Sequence, residues 1–140
     1  MEREFSAGGV CVRRMRGGEY VAGIRIKGGA VLALPKGNID PGEKAPQTAR
    51  REVREEAGVD GEVIGKLGDV KYWYVRRDGT RVFKIVSFFL LRYLSGSVED
   101  HDHEVDSAEW VPLADAERLL QYRGEKQMAA AALTAWAQAR

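Results

Sequence analysis

The chain contains Gly37-Asn38-Ile39-Asp40-Pro41-Gly42-Glu43 and, after seven further residues, Arg51-Glu52-Val53-Arg54-Glu55-Glu56-Ala57-Gly58-Val59. Between these segments Ala45, Ala49 and Val53 recur every four residues, which predicts a helix over residues 43–57 with one apolar face. Pro46 fits in the first turn of that helix, and Gly58 is placed to end it. The stretch therefore predicts a loop-helix-loop unit.

Three glutamates share one edge of the predicted helix. Glu52 and Glu56 are one turn apart and Glu55 is three residues from Glu52, so their carboxylates approach each other. Crowded carboxylates repel, and hard divalent cations with oxygen ligands neutralise them. Mg²⁺, or Mn²⁺ in its place, is the ion expected for carboxylate, water and phosphate ligands. The alternative is a solvated helix face on which Arg51 and Glu55 form an ordinary ion pair.

The complete pattern is a glycine, five residues, a glutamate, seven residues, and Arg-Glu-aliphatic-any-Glu-Glu-any-Gly-aliphatic. It resembles the Nudix box at every defined position. The likeness extends to Ala7-Gly8-Gly9-Val10, to Leu34-Pro35-Lys36-Gly37 and to residues 104–110. It implies an α/β/α sandwich with a mixed, partly curled β-sheet, and an enzyme that hydrolyses phosphoanhydride bonds.

The resemblance also implies roles for single residues at a metal site. Glu52, Glu55 and Glu56 are expected to ligate the divalent ions, and Gly37 to contribute loop backbone beside them. Arg51 is expected to orient the acids by ion pairing, with Glu43 as its helper.

The residue that takes the proton from the attacking water stays open. Glu52 and Glu55 are candidates within the box, and related enzymes also use an acid or a histidine on a later loop. Here that loop contains Glu104, the leading later candidate and an expected additional metal-side glutamate, and His103, a weaker one. The alternative is that residues 101–104 form an ordinary polar loop.

The remaining pattern predicts strands and helices around the box. Strands are predicted at 5–13, 20–26, 31–34, 62–75 and 80–93, a surface loop at 93–106, a short apolar return at 108–111, and helices at 113–120 and 124–139. Gly65 and Gly68 predict a bulge or bend in the first long strand, and Arg77-Asp78-Gly79 predicts the hairpin that follows it.

The substrate is predicted from the flanking residues. Lys36, the segment Lys71-Tyr72-Trp73-Tyr74, and the stretch after His103 look like the diadenosine polyphosphate hydrolase branch of the family. Tyr72 or Tyr74 would stack on a purine, and cations would neutralise distant phosphates, namely Lys36, Lys71 and Lys84 or Arg81. The alternative for the aromatic residues is a place in the strand core. The alternative enzyme is a nucleoside triphosphate pyrophosphatase that removes noncanonical nucleotides, and a non-catalytic nucleotide-sensing module is disfavoured by the three intact acids.

Composition and charge limit the number of domains and the kinds of partner to be expected. A chain of 140 residues with 44% apolar and 31% charged residues predicts one folded domain over residues 1–140. A net charge of +1 predicts no large nucleic-acid surface, so the expected partner is a small nucleoside polyphosphate. No apolar stretch has the length of a signal peptide or membrane span, which predicts a cytoplasmic protein. Cys11 is expected in a buried strand, and association of two chains stays open.

Overall fold

The computed structural model describes residues 1–139. Its strands are β1 (Glu2–Met15), β2 (Gly18–Ile26), β3 (Val31–Ala33), β4 (Lys36–Asn38), β5 (Val59–Val75), β6 (Arg81–Gly96) and β7 (Ser107–Pro112). Its helices are α1 (Ala45–Ala57), α2 (Leu113–Leu119) and α3 (Arg123–Ala139), and a short 3₁₀ turn spans Val98–Asp100. Within this part of the chain, no helix is both long and apolar enough to span a membrane.

All the strands belong to one mixed sheet. The main path runs β3-β2-β1-β6-β5, with β4 beside β1 and β7 beside β2. β1 and β6 run parallel, whereas the other neighbouring strands pair antiparallel. One edge of β1 is shared, because β4 pairs with Ser6–Gly8 and β2 pairs with Val12–Met15. Along this edge β1 has β4 as its first neighbour and β2 as its second, and the loop that leads into α1 follows β4.

Helices cover both faces of the sheet. One apolar cluster joins the sheet to α2 and α3 and includes Val10, Phe88, Leu90 and Trp136. A second cluster joins the opposite face to α1 and includes Val53 with the predicted buried Cys11. Burial raises the pKa of the Cys11 thiol to about 12, so the thiol stays protonated. The predicted α/β/α sandwich is confirmed.

The bounds of α1 differ slightly from the prediction. The helix begins at Ala45 rather than at residue 43, because Lys44 is extended and Gln47 folds back to accept a hydrogen bond from its N–H. Glu43 instead closes the preceding turn through its own N–H and carboxylate. The predicted stop is confirmed, since Gly58 has a φ of 79° and its N–H donates to the Arg54 carbonyl.

Two features of the sheet were predicted from glycines. The pairing of β5 with β6 shifts register at Val63/Gly65 and at Lys66/Gly68, which confirms the predicted irregularities. The turn between these strands contains Gly79, with a φ of 86°, as the hairpin signal indicated. β4 and the 3₁₀ turn were not predicted, because three residues are too few to create a recognisable period.

Candidate active site

The acidic edge of α1 lies at the border between its buried face and solvent. Val53 and Ala57 fill the core below the helix, and Glu52 lies beside them with only 11% of its side chain exposed. Glu55 is 48% exposed, and Glu56 is partly buried. The helix therefore presents three carboxylates, of which Glu55 is the most exposed and Glu52 the least exposed.

Arg51 is the centre of an ion-pair network on this edge. Its Nε and Nη2 donate to the two oxygens of Glu43, at 2.7 and 3.0 Å. Its Nη1 donates to Glu52 Oε1 at 2.7 Å and more weakly to Glu55 at 3.2 Å. The guanidinium also donates to the Asn38 carbonyl at 3.1 Å. One planar cation thus connects the loop to two of the three acids, and its bonds lower the pKa of Glu43 to about 2.

The loop backbone contacts the other side of the acids. The Glu52 carboxylate occupies the space in which a Cβ on residue 37 would lie, so any larger residue there would displace that carboxylate. One residue earlier, the Lys36 N–H donates to Glu56 Oε1 at 2.9 Å. Gly37 therefore allows the close approach of the Glu52 carboxylate, at a position where its φ is not in the left-handed region.

The two inner carboxylates have raised pKa values. Burial raises the pKa of Glu56 to about 7, although the Lys36 N–H opposes the effect, and the charges of Glu52 and Asp102 add to it. Burial also raises the pKa of Glu52, against the influence of Arg51, and Glu55 and Glu104 contribute further repulsion. The site is thus a crowded, partly desolvated anionic cluster.

This donor chemistry fits a divalent cation. Carboxylate oxygens at a crowded anionic edge, with glycine backbone against them, are what Mg²⁺ and similar hard ions require. In the described 139 residues, no three acidic, histidine or cysteine side chains already converge as a ligand cluster. Arg51 holds Glu52 and Glu55, and the Lys36 N–H holds Glu56.

The loop after β6 lies beside the same edge. The Asp102 N–H donates to the Glu55 carbonyl at 2.8 Å, which fastens the loop to the last turn of α1. Glu104 is exposed, and its charge acts on Glu52. The ring Nδ1 of His101 lies 2.7 Å from the Asp102 carbonyl, and His103 is exposed. Glu104 is therefore placed near the acids.

A cavity of about 690 Å³ lies between the N-terminal end of α3 and strands β5 and β6, next to β4. Its volume is in the range of small-molecule sites. The lining combines apolar and polar side chains, and includes Val70, Tyr72, Val86, Phe88, Tyr122, Lys36 and Glu125. Lys36 belongs to both places, since its N–H contacts Glu56 and its side chain lines the cavity. The cavity and the acidic edge are therefore adjacent across one strand.

The structure divides the predicted substrate residues. Lys36 and Tyr72 line the cavity together, and Tyr72 is 41% exposed, so the alternative of a core position is excluded for it. Tyr74 and Lys84 instead donate to the Glu4 carboxylate, at 2.6 and 3.2 Å, and Lys84 also donates to Asn38.

The predicted basic group is therefore not assembled around one ligand. Lys71 lines the cavity, but its charge acts on Asp69, whose pKa is lowered mainly by hydrogen bonds from Ser87 and Lys66. Lys84 is held by Glu4, as described above. Lys36 is the predicted cation that the structure connects directly to the acidic edge.

Two cavity residues were missed by the sequence analysis. Glu125 is only 3% exposed, and its carboxylate pairs with the Lys36 ammonium. Tyr122 lies with its ring centroid 5.5 Å from that ammonium. A signal for Glu125 existed, because it precedes Met128 by three residues and therefore falls on the apolar stripe of α3. A charged residue on a buried stripe indicates a paired or functional group.

Comparisons with known proteins show which family of domains this chain resembles. Residues 5–132 match the NUDIX domain. A mutator protein, MutT4 of Mycobacterium tuberculosis (strain CDC 1551 / Oshkosh), is 39% identical over 132 residues, which are 90% of this chain and 53% of that protein. An 8-oxo-(d)GTP phosphatase of Mycolicibacterium smegmatis is 34% identical over 96 residues, 69% of this chain and 28% of that protein. The chain thus spans about half, or less, of these relatives.

A solved structure shares the fold. An Ap4A hydrolase of C. elegans, in a binary complex, superposes with a TM-score of 0.68 at 22% identity, covering 98% of this chain and 99% of the other. At this identity the likeness concerns the fold.

Proposed function

Because this chain belongs to the Nudix family, we propose that it is a hydrolase that cleaves a phosphoanhydride bond in a nucleoside polyphosphate. The observation that carries the proposal is the position of Lys36. Its N–H donates to Glu56 at the acidic edge, while the same residue lines a cavity large enough for a nucleoside. A polyphosphate that leaves the cavity along β4 would therefore reach the carboxylates of α1.

We assign the acids of α1 to the binding of Mg²⁺, with Mn²⁺ able to substitute. Glu52, Glu55 and Glu56 would hold the ion, with Gly37 backbone beside it and Glu104 approaching from the later loop. When bound, the ion neutralises phosphate charge and lowers the pKa of a water molecule. Arg51 and Glu43 act through the acids, because they fix the carboxylates from the solvent side.

The proton acceptor is proposed to be a carboxylate of this cluster. Glu52 and Glu55 lie on α1, and Glu104 lies on the adjoining loop. A general base has to be within hydrogen-bond reach of the attacking water, and all three carboxylates border the same edge. Comparing kcat for single glutamine variants of the three identifies the base, because its loss should lower kcat most while leaving metal affinity least affected.

The substrate proposed first is a noncanonical purine nucleoside triphosphate. The relatives with 39% and 34% identity, described as a mutator protein and an 8-oxo-(d)GTP phosphatase, support this choice. The cavity also supports it, since Tyr72 and Tyr122 supply aromatic surface around an apolar floor that suits one base.

A diadenosine polyphosphate is the second candidate. Tyr74 lies beyond the cavity along β5, with its ring centroid 6.5 Å from that of Tyr72, so the aromatic surface continues outward. A second purine could use that surface. Against this candidate, Lys84 is held by Glu4, which leaves fewer free cations for a longer phosphate bridge.

The test uses purified protein with Mg²⁺, and mass spectrometry of the products formed from 8-oxo-dGTP, dGTP, ATP and Ap4A. Glu56→Gln should remove most turnover, whereas Glu62→Gln, a variant of an exposed ion pair near the start of β5, should not. Full activity in chelator, or an active Glu56→Gln enzyme, would refute the assignment. A higher kcat/KM for Ap4A than for 8-oxo-dGTP would reverse the order of the two substrates.

A further inference from the structure

Glu125 is a buried carboxylate that the reaction described above does not use. It lies on α3 with 3% of its surface exposed, on the same stripe as the core residues Met128 and Ala132. A buried ion pair contributes little net stability, because desolvation offsets most of the attraction. Replacing both members of such a pair by apolar residues often leaves stability similar, so the presence of the carboxylate calls for another explanation.

Both oxygens of Glu125 bind the segment that connects β3 to β4. Oε1 accepts from the Leu34 N–H at 2.7 Å, and Oε2 accepts from the Lys36 ammonium at 2.9 Å. Helix α3 thereby holds one backbone group and one side chain of the same three residues. This fastens the segment from the side of the cavity.

The same segment contacts the acidic edge from its other side. The Lys36 N–H donates to Glu56 Oε1, and the Pro35 carbonyl accepts from the Gly9 N–H at 3.1 Å. A Cβ on Gly8 would lie 2.5 Å from the Pro35 oxygen and 2.7 Å from the Lys36 Cβ, so the segment is packed tightly against β1. Because the segment has little free space around it, a displacement of Lys36 would also move the N–H that binds Glu56.

We propose that Glu125 is a positioning residue that holds residues 34–36 in place, so that the Lys36 N–H orients Glu56 and the Lys36 ammonium stays at the junction of cavity and acidic edge. The proposal rests on the proposed function, since it assigns Glu56 to the reaction. It extends the proposed active site to α3, a helix in which the sequence predicted no site residue.

The principal test is Glu125→Gln. Glutamine keeps the volume and an oxygen for the Leu34 N–H, but it loses the charge that holds Lys36. We expect kcat at saturating nucleotide and Mn²⁺ affinity in the absence of nucleotide each to fall roughly 10- to 100-fold, the usual scale for a residue that orients a metal ligand. KM should change much less than kcat. The NMR amide signal of Lys36 in metal-free protein should move, because its bond to Glu56 is altered.

Trp136→Phe is the matched control. It removes one side-chain hydrogen bond from the same helix, the Trp136 Nε1 bond to Glu19 at 3.0 Å, without touching residues 34–36. At a similar loss of thermal stability it should retain wild-type kcat and the Lys36 amide signal. Glu125→Asp keeps the charge at shorter reach and should fall between wild type and Glu125→Gln, which provides a second variant if glutamine prevents folding.

The outcomes separate the two proposals. Wild-type kcat, Mn²⁺ affinity and Lys36 signal in folded Glu125→Gln would overturn the positioning role. Losses in Trp136→Phe equal to those in Glu125→Gln would also overturn it, because they would reflect stability alone. If wild-type protein hydrolyses no nucleotide, the proposed function fails, while Mn²⁺ affinity and the Lys36 amide still decide the role of Glu125.

Discussion

Replacing Glu56 by glutamine is expected to stabilise the metal-free protein above pH 7 while it removes turnover. Burial and the neighbouring acids raise the pKa of this carboxylate from 4.5 to about 7. An acid whose pKa is raised in the folded state does not reduce the free energy of unfolding at a pH below its ordinary pKa. At such a pH it is protonated in both the folded and the unfolded state. Stability is then lost as the pH rises from about 4.5 through about 7.

The size of the effect follows from the two pKa values. One pKa unit corresponds to ~1.4 kcal/mol, so the raised value sets an upper limit of about 3.5 kcal/mol at pH 8. Water penetration and relaxation around a partly buried group reduce such a penalty. We expect Glu56→Gln to exceed wild type by about 2 kcal/mol in free energy of unfolding at pH 8, because glutamine keeps an oxygen for the Lys36 N–H without the charge.

The assay is urea denaturation in chelator at pH 5, 6, 7 and 8. The difference between Glu56→Gln and wild type should be small at pH 5 and reach its full value at pH 8. Glu62→Gln removes an exposed acid of β5 and should show no such rise. Adding Mn²⁺ at pH 8 should stabilise wild type more than Glu56→Gln, since the ion binds the folded state.

Two results would refute the reasoning. A Glu56→Gln protein that is less stable than wild type at pH 8 would mean that the carboxylate is held by favourable contacts stronger than its desolvation. A difference that does not change between pH 5 and pH 8 would mean that Glu56 does not titrate in this range.

Three further predictions concern other parts of the molecule. Arg51→Ala should lower kcat roughly 10- to 100-fold by releasing the acids, whereas Arg50→Ala, which removes an exposed pair with Asp60, should not; equal steady-state kinetics would show that Arg51 is an ordinary surface residue. Tyr72→Ala should raise KM by an amount equivalent to roughly 1 to 3 kcal/mol of stacking, and Trp73→Ala, on the opposite face of β5, should leave KM unchanged. Hydrogen bonds from Tyr74 and Arg76 lower the pKa of Glu4 to about 2, so this stabilisation is present above about pH 4.5 and lost as the pH falls toward 2. Glu4→Gln should therefore cost about 1 kcal/mol in urea denaturation at pH 7, and a constant cost down to pH 2 would contradict it.

The prediction of the acidic helix was based on the spacing of residues that are close in sequence. Residues one turn apart on a helix are neighbours whatever surrounds the helix, so the shared edge of Glu52 and Glu56 could be predicted without a structure. The stop at Gly58 was predictable for a similar local reason, since glycine readily adopts the left-handed backbone that ends the helix. The irregularities at Gly65 and Gly68 were predictable because a glycine inside a strand often marks a bulge or bend.

Contacts between distant segments could not be predicted in this way. Tyr74 and Lys84 have the chemistry of substrate ligands, yet Glu4, which is 70 and 80 residues earlier, accepts hydrogen bonds from both. β4 is too short to show a period and exists because β1 offers a free edge where its pairing with β2 ends. Residue type indicated charge and aromaticity correctly, but the partner of each group was set by the sheet.

The sequence by itself determined the helix that carries the acids, because that helix depends on spacing within about 20 residues, where helical geometry alone brings side chains together. The family resemblance rests on the same stretch. The tertiary structure alone decided which groups surround those acids. Glu125 meets Lys36 across 89 positions of sequence, and Asp102 meets Glu55 only after β5 and β6 have returned the chain to α1. Such contacts arise from burying two faces of one sheet under helices distant in sequence, and no local period records which side chains will then lie opposite each other.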